Sequence, residues 1–192
     1  MKKMLAAITG VALSVTSVWA ESFSLDASHA TLGFAVRHLV VSTVRGSFAE
    51  AAGSLETDAS GIPAKAAVTI KAASLATGVA DRDKHLRSPD FFDVEKYPEL
   101  KFESTKIEKA ADGVTITGNL TIRDVTKEVT IPCTLSGPIT DPWGNVRIGL
   151  EGNTQVNRKD FGMVWSKVLD GGGLVVEDQV KIDVSLEFIK NK

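Results

Sequence analysis

The chain has 192 residues, 24 acidic against 22 basic side chains and a single cysteine, Cys133. This length suits one domain. The slight acidic excess gives none of the basic surface that phosphate recognition needs, so we exclude nucleic acid as a partner. One cysteine cannot form an internal disulfide, so the fold must depend on its own apolar core.

The first twenty residues have the three parts of a secretory signal peptide. Lys2 and Lys3 form a basic start, residues 4–18 are mostly apolar, and Val18-Trp19-Ala20 fits a cleavage site. The apolar run is shorter than the ~20 residues that span a bilayer, and no later stretch is long enough, so we predict no membrane span. We predict a signal peptide at 1–20 and one domain over residues 21–192.

The predicted mature chain keeps 20 basic side chains against 24 acidic ones, because Lys2 and Lys3 are lost, and its formal charge is −4. This balance argues against attachment to anionic lipid through a polybasic segment.

Downstream of Glu21 the apolar residues recur with a period of two, as in half-buried strands. The alternation is clear at residues 32–38, 43–49, 66–76, 100–107, 114–122, 129–135, 146–156 and 180–188. Residues 157–173 are irregular. About eight strands with one apolar face each predict an all-β fold, an antiparallel sheet closed into an eight-stranded barrel. A β-sandwich is the alternative. An eight-stranded barrel is either filled by its side chains or holds one small ligand.

Residues 79–98, VADRDKHLRSPDFFDVEKYP, interrupt this pattern and form what we call the insert. They predict about two helical turns, ended by Ser88-Pro89. The charged side chains form either a solvated face or a rim on which Arg82 or Arg87 meets a polar headgroup. The adjacent Phe91 and Phe92 point in different directions, so at least one is buried. They either plug the barrel or line its mouth.

Several motifs together resemble the YceI family, and the resemblance runs from Phe23 to the C-terminus. The block around the helix, with Tyr97-Pro98 behind it, is the most specific part. The motifs are Asp26-x-x-His29, Phe34-x-Val36-x-His38, Gly46-x-Phe48, Ser74-x-x-Thr77-Gly78, Arg82-Asp83-x-His85-Leu86-Arg87-Ser88-x-Asp90-Phe91-Phe92-Asp93, Phe102-x-Ser104, Gly118-x-Leu120-Thr121 and Arg158-x-Asp160-Phe161-Gly162.

The resemblance implies a lipocalin-like β-barrel, exported to the periplasm, with a long apolar cavity. It implies a polyisoprenoid or other long-chain lipid as ligand, no cofactor and no established catalytic activity. We therefore predict a periplasmic carrier. The predicted ligand-binding residues combine apolar strand positions with the insert and one tryptophan: Phe34, Val36, His38, Phe48, Arg82, His85, Leu86, Phe91, Phe92, Phe102 and Trp165.

Other functions are weighed against this one. His29, His38 and His85 lack metal-ligand spacing, and zinc needs three or four ligands, so we predict no metal site. His29 is interpreted as structural, while His38 and His85 contact either ligand or protein. No GxSxG motif is present, and Cys133 falls in the apolar phase, where cysteine is usually inert.

Two alternatives and one assembly remain open. The first alternative is an enzyme acting on a small amphiphile at the barrel rim, with His85 or His38 as base. The second is a filled barrel that serves a protein partner. Pro132 and a short first strand predicted at Phe23 to Asp26 leave room for an edge contact, because proline cannot donate to the sheet, so a homodimer is a further prediction.

Overall fold

The computed structural model describes residues 21–168 and 174–192, so the last five residues of the predicted irregular segment lie outside it. Within these ranges one α-helix, α1, spans Ala80–Arg87, and every strand pairs antiparallel to its neighbours. No helix of the described ranges has the length and apolar character that a bilayer span requires. The strands are β1 Glu21–Leu25, β2 Thr31–His38, β3 Ser42–Phe48, β4 Ala51–Thr57, β5 Pro63–Lys71, β6 Leu75–Ala76, β7 Glu99–Ala110, β8 Gly113–Ile122, β9 Val125–Thr140, β10 Val146–Asn157 and β11 Val176–Lys190.

Eleven strands occupy eight positions, because three positions hold two strands end to end. β1 and β2 both pair with β11, at its carboxyl and amino halves respectively. β4 and β3 pair with β1 and β2, and β5 and β6 pair with β4 and β3. The sheet closes because β1 pairs with both β4 and β11. The predicted eight-stranded barrel is confirmed, and the sandwich alternative is wrong.

The breaks that divide these strands are short. A 3₁₀ turn at Ala27–His29 separates β1 from β2, and Asp26 caps its start because the Asp26 carboxylate accepts from the Ser28 N–H at 3.1 Å. A second turn at Ala72–Ser74 separates β5 from β6. The sequence analysis predicted a single strand over residues 66–76 and missed this turn, because the apolar alternation continues through it.

The base of the barrel, at the β1 end, is filled by large side chains. Phe23, Leu55 and Phe188 are fully buried, and Ile148 is 1% exposed. Phe23 pairs with Leu55 across β1 and β4, and Ile148 pairs with Phe188 across β10 and β11. Because these side chains fill this end of the barrel, any opening to the interior has to lie at the other end, where the insert is.

An arginine joins three carboxylates at the base. The Arg147 guanidinium donates to Asp26 at 3.0 Å, to Asp141 at 2.7 Å and to Glu187. Asp26 precedes β2, Asp141 begins the β9–β10 loop and Glu187 lies on β11. The network therefore ties three parts of the chain together where the barrel is closed.

The hydrogen bonds of this network shift two acid pKa values. Bonds from the Ser28 hydroxyl, with His29 and from Arg147 hold the pKa of Asp26 well below its ordinary value of 3.8. Burial on its own raises the pKa of Asp141, but donors led by Arg147 lower it well below 3.8 overall. Each carboxylate therefore contributes stability that is present above the ordinary carboxyl pKa and is lost as pH falls through the lower folded pKa.

Replacing Arg147 with Met should raise the pH at which the protein unfolds in acid. Without the guanidinium, the Asp26 and Asp141 carboxylates lose a donor and a compensating charge, so they protonate at higher pH. Circular dichroism during titration from pH 7 to pH 2 measures the midpoint, with Arg37→Met, an exposed arginine at the other end of the barrel, as control. An unchanged midpoint for Arg147→Met would contradict this account.

Candidate functional site

Above the filled base, the barrel encloses an apolar cavity of ≈ 310 Å³. Its wall comes from the inward positions of the strands, and the insert and the segment after β10 cover its end. Among the lining residues, the nitrogen- and oxygen-bearing side chains are few: His38, Arg82, His85, Thr154, Arg158 and Trp165. An enclosed apolar space with a few polar groups at one end fits a hydrocarbon chain. It argues against the filled-barrel alternative.

Two glycines keep the cavity open by letting phenylalanine rings lie against the wall. Gly46 pairs with Phe34, and a Cβ at Gly46 would lie 2.4 Å from the Phe34 ring. A Cβ at Gly118 would likewise lie 2.5 Å from the Phe102 ring. Any larger residue at either position would push a ring into the cavity.

Helix α1 is too short to be stable alone, and it is held in place by side chains at both ends. Asp83, which is 9% exposed, accepts from the Thr77 N–H at 2.8 Å and from its hydroxyl at 2.5 Å. At the other end, Arg87 donates to the carbonyls of Ala73 and Leu75. These contacts fix the helix against β6 and the turn before it.

The two arginines of the insert have different positions. Arg87 donates to backbone carbonyls and does not line the cavity, so of the two arginines left open as headgroup contacts it is the less favourably placed. Arg82 lines the cavity, and its guanidinium donates to the Thr77 hydroxyl at 2.7 Å and to the Thr77 carbonyl at 3.0 Å. Of the two, Arg82 is the cation that borders the cavity.

Three aromatic rings close the cavity beneath the insert. The rings of His85 and Trp165 meet edge to face at 4.9 Å, and those of His85 and Phe91 do so at 5.0 Å. The rings of Phe91 and Trp165 are tilted against each other at 5.4 Å. The His85 Nε2 lies 2.8 Å from the Asp90 carboxylate, which orients the imidazole. Trp165 belongs to residues 162–168, which we call the strap. Insert and strap therefore meet through this trio.

Phe92 belongs to a second aromatic group that faces the barrel interior. Its ring meets Phe48 edge to face at 5.5 Å, and Phe48 lies 5.9 Å from Phe34. Phe91 is 6% exposed and Phe92 is half-buried, and both line the cavity. The sequence left plug and lining as alternatives. In the structure Phe91 belongs to the covering trio, and Phe92 continues the wall.

The strap is held by a buried arginine, Arg158, which is 3% exposed. Its guanidinium makes five hydrogen bonds and so uses every N–H donor it has. Within the strap region it donates to the carbonyls of Met163 at 2.6 Å and Trp165 at 2.7 Å. On the β11 side the acceptors are the carbonyls of Glu177 and Val176 and the carboxylate of Asp178. Arg158 therefore positions Trp165.

Burial shifts the pKa values of two groups of the cavity wall, Arg158 and Cys133, in opposite directions. Burial lowers the pKa of the Arg158 guanidinium, and the charge of Asp178 partly offsets this. Burial raises the pKa of the Cys133 thiol to about 11. Cys133 is 8% exposed and its side chain lines the cavity. The prediction of inert packing therefore gains a physical reason, since the thiolate is the reactive form.

Iodoacetamide should alkylate Cys133 very slowly at pH 8 in the folded protein. With a pKa of about 11, the thiolate is roughly two orders of magnitude scarcer than in an unfolded chain. Mass spectrometry of timed samples measures the rate, and the same reaction in denaturant is the control. Folded and unfolded rates within a few-fold of each other would show that the thiol is not buried.

All eleven predicted site residues lie around this one cavity. Phe34, Val36 and His38 come from β2, Phe48 from β3 and Phe102 from β7. The insert supplies five lining residues, and the strap supplies Trp165. Their contact with a ligand stays a prediction.

The sequence did not indicate several other lining residues. Arg158 was quoted only as part of a motif, and Met163 fell in the irregular segment. Thr154 sits on the inward face of β10 and is the only hydroxyl among the described residues of the lining. Its place in the apolar phase of residues 146–156 was the available signal.

One cluster of possible metal ligands occurs among the described residues, at the base rather than at the cavity. Asp26, His29 and Glu187 place ligand atoms within 4.8 Å of one another. The Arg147 guanidinium already donates to both carboxylates of this trio, and His29 bonds Asp26 at 2.9 Å. Because the Arg147 guanidinium already neutralises these carboxylates, we interpret Asp26, His29 and Glu187 as structural residues.

Fold and site together define an eight-stranded antiparallel β-barrel with an enclosed apolar cavity. The profile of the YceI-like domain matches residues 23–188, and the chain belongs to the YceI family. A UPF0312 protein of Photorhabdus laumondii is 43% identical over 167 residues, covering 84% of this chain and 86% of that relative.

Solved structures show the same architecture. The YceI protein of Campylobacter jejuni superposes with a TM-score of 0.70 at 30% identity, covering 81% of this chain and 90% of that one. A polyisoprenoid binding domain from Saccharophagus degradans superposes with a TM-score of 0.69 at 16% identity, covering 89% and 99%. At this identity the second likeness concerns the fold alone.

Proposed function

We propose that this protein is a periplasmic carrier that sequesters a long apolar molecule, a polyisoprenoid or related lipid, inside the barrel. The observation that carries the proposal is the apolar cavity of ≈ 310 Å³ beneath an aromatic cover. Removing a hydrocarbon chain from water into such a space is favourable by about 0.8 kcal/mol per CH₂. A domain with this fold is a polyisoprenoid binding domain, so a barrel of this architecture is compatible with such a ligand.

The polar side chains of the lining suggest how the ligand is oriented. Arg82, His38 and His85 lie towards the insert end, whereas the deep wall is apolar. His38 is half-buried at the end of β2 and lines the cavity, which is a suitable position for contact with a polar ligand end. We propose that the chain enters tail first and that its polar end stays near the insert.

The proposal contains no chemical step. His85, the candidate base of the enzyme alternative, is bonded to Asp90 at 2.8 Å and packed between two aromatic rings. Export through a cleaved signal peptide at residues 1–20 belongs to the proposal, and so does the periplasmic location.

Native mass spectrometry of protein purified from the cell tests this function. We expect a mass above that of the bare polypeptide, and we expect delipidated protein to take up a prenyl-chain probe such as farnesol. A bare mass together with no uptake would overturn the proposal. A His85→Ala protein that binds the probe as before but has lost a measurable turnover would favour the enzyme alternative.

A further inference from the structure

Exposed valines collect at the end of the barrel that carries the insert. Val40 and Val41, in the turn between β2 and β3, are 53% and 77% exposed. Val164 and Val168, in the strap, are 66% and 73% exposed. We call these four residues the mouth rim. Single exposed valines are ordinary on a protein surface, whereas four of them at one end of the barrel are a group.

Backbone hydrogen bonds bring the two parts of the mouth rim together. The Leu39 N–H donates to the Val175 carbonyl at 3.0 Å, and the Val175 N–H donates to the Lys167 carbonyl at 2.9 Å. Val168 bridges to Leu174. The β2–β3 turn and the strap are therefore neighbours joined through residue 175.

The same two segments also line the cavity. His38 precedes the turn and Trp165 lies within the strap, and both contribute to the lining. The exposed valines are thus within a few residues of side chains that face the cavity. An apolar surface so close along the chain to an apolar cavity shortens the path through water that a hydrocarbon chain must take between them.

The charges of these segments favour an anionic surface. Residues 37–45, 158–168 and 174–178 carry five basic and three acidic side chains, although the whole chain has a formal charge of −2. Arg37, Arg45 and Lys167 are exposed. Asp178 pairs with Arg158 at 3.0 Å and with Lys159 at 2.8 Å, so these three charges largely compensate one another. The basic excess at the surface therefore comes from Arg37, Arg45 and Lys167 against Asp160 and Glu177.

We infer that the mouth rim docks on the surface of an anionic phospholipid bilayer, where the cavity exchanges its ligand. This inference rests on the proposed carrier function. The chain as a whole is acidic, so charge alone does not hold it there. The valines supply the contact, the basic side chains around them orient it, and four small apolar groups make it reversible.

Co-sedimentation of delipidated protein with vesicles tests the docking. The vesicles contain phosphatidylglycerol and phosphatidylethanolamine, with phosphatidylcholine vesicles for comparison. The mouth variant replaces Val40, Val41, Val164 and Val168 with Ser. The matched control replaces Ile139 and Trp143, which are 62% and 81% exposed at the other end of the barrel, with Ser.

We expect the wild type and the control to bind the anionic vesicles and to bind phosphatidylcholine more weakly. The mouth variant should bind the anionic vesicles at least about tenfold more weakly, the equivalent of one valine leaving an apolar interface. Absent wild-type binding, equal binding by the mouth variant, or a loss only in the control overturns the inference. So does a wild-type dimer in light scattering that the mouth variant lacks, because the rim is then a protein interface.

Farnesol binding in vesicle-free solution separates this inference from the carrier function. The mouth variant should bind farnesol like the wild type, because its substitutions point away from the cavity. Vesicle binding without farnesol binding in either protein would overturn the carrier function and leave the docking standing. Farnesol binding without vesicle binding would do the reverse.

Discussion

Replacing Arg158 with Met should lower the free energy of unfolding by about 3–5 kcal/mol, the usual result of removing one partner from a buried ionic network. Met has a similar length but no donors. Four backbone carbonyls and the Asp178 carboxylate would lose their partner. Chemical denaturation followed by circular dichroism measures the change.

Two further variants separate the hydrogen bonds from the charge. Asp178→Asn keeps an acceptor oxygen but removes the ionic partner, and Asp178 is 27% exposed on its side chain, so we expect a loss of about 1 kcal/mol or less. Arg158→Lys keeps the charge but not the planar fork, so its loss should fall between the other two. Equal losses for Met and Asn would show that the single ion pair, rather than the network, holds the strap.

Arg158→Met should also change the position of Trp165, which helps to cover the cavity. Arg158 holds the Trp165 carbonyl, and the Trp165 indole contacts His85 and Phe91. In a Trp143→Phe background beginning at Glu21, Trp165 is the only tryptophan. We expect its fluorescence to shift to longer wavelength in Arg158→Met under conditions where the barrel is still folded. An unshifted spectrum would mean that Arg158 does not position the strap.

The wall of the cavity was predictable because alternation is a local property. Phe34, Val36 and His38 share a face of β2 whatever the rest of the chain does, and the cavity lies on that face. The insert was found for the opposite reason, since it breaks the alternation. Its helix, Ala80–Arg87, covers less than half of residues 79–98, because Pro89 ends it and tight turns follow.

The contacts between distant segments were not predictable from the sequence. Arg158 reaches acceptors on β11 that lie 18 to 20 residues away, and no local pattern marks them. The emptiness of the cavity was also hidden, because core and cavity wall need the same apolar phase. Gly46 and Gly118 carry that information, but only once the cross-strand register places them against Phe34 and Phe102.

The homodimer stays a prediction. The pairing of β9 with β10 stops at Cys133, and Pro132 is the residue directly before it in the chain.

Filling the cavity from its wall should abolish most of its affinity for a hydrocarbon chain. Ile182 pairs with Phe34 on β2 and with Thr154 on β10, and all three line the cavity. In Ile182→Trp the indole would occupy space that the chain needs. Excluding only two methylenes costs about 1.6 kcal/mol, so we expect farnesol to bind at least about tenfold more weakly.

A matched control puts the same side chain on the other face of the strand. Lys181 is exposed and adjacent to Ile182, and its ion pair with Asp183 is a surface pair worth at most about 1 kcal/mol. Lys181→Trp should therefore fold and bind farnesol like the wild type. Titration calorimetry gives both affinities, and thermal denaturation shows whether each barrel is folded.

A graded series at the same position protects the test against misfolding. Ile182→Phe adds less volume than Trp and should weaken binding less, whereas Ile182→Ala enlarges the cavity and should leave room for a longer prenyl chain. Affinity for farnesol should then fall from Ile to Phe to Trp as the free volume shrinks. If all folded members of the series bind farnesol as the wild type does, the ligand is held elsewhere and the enclosed space is not the binding site.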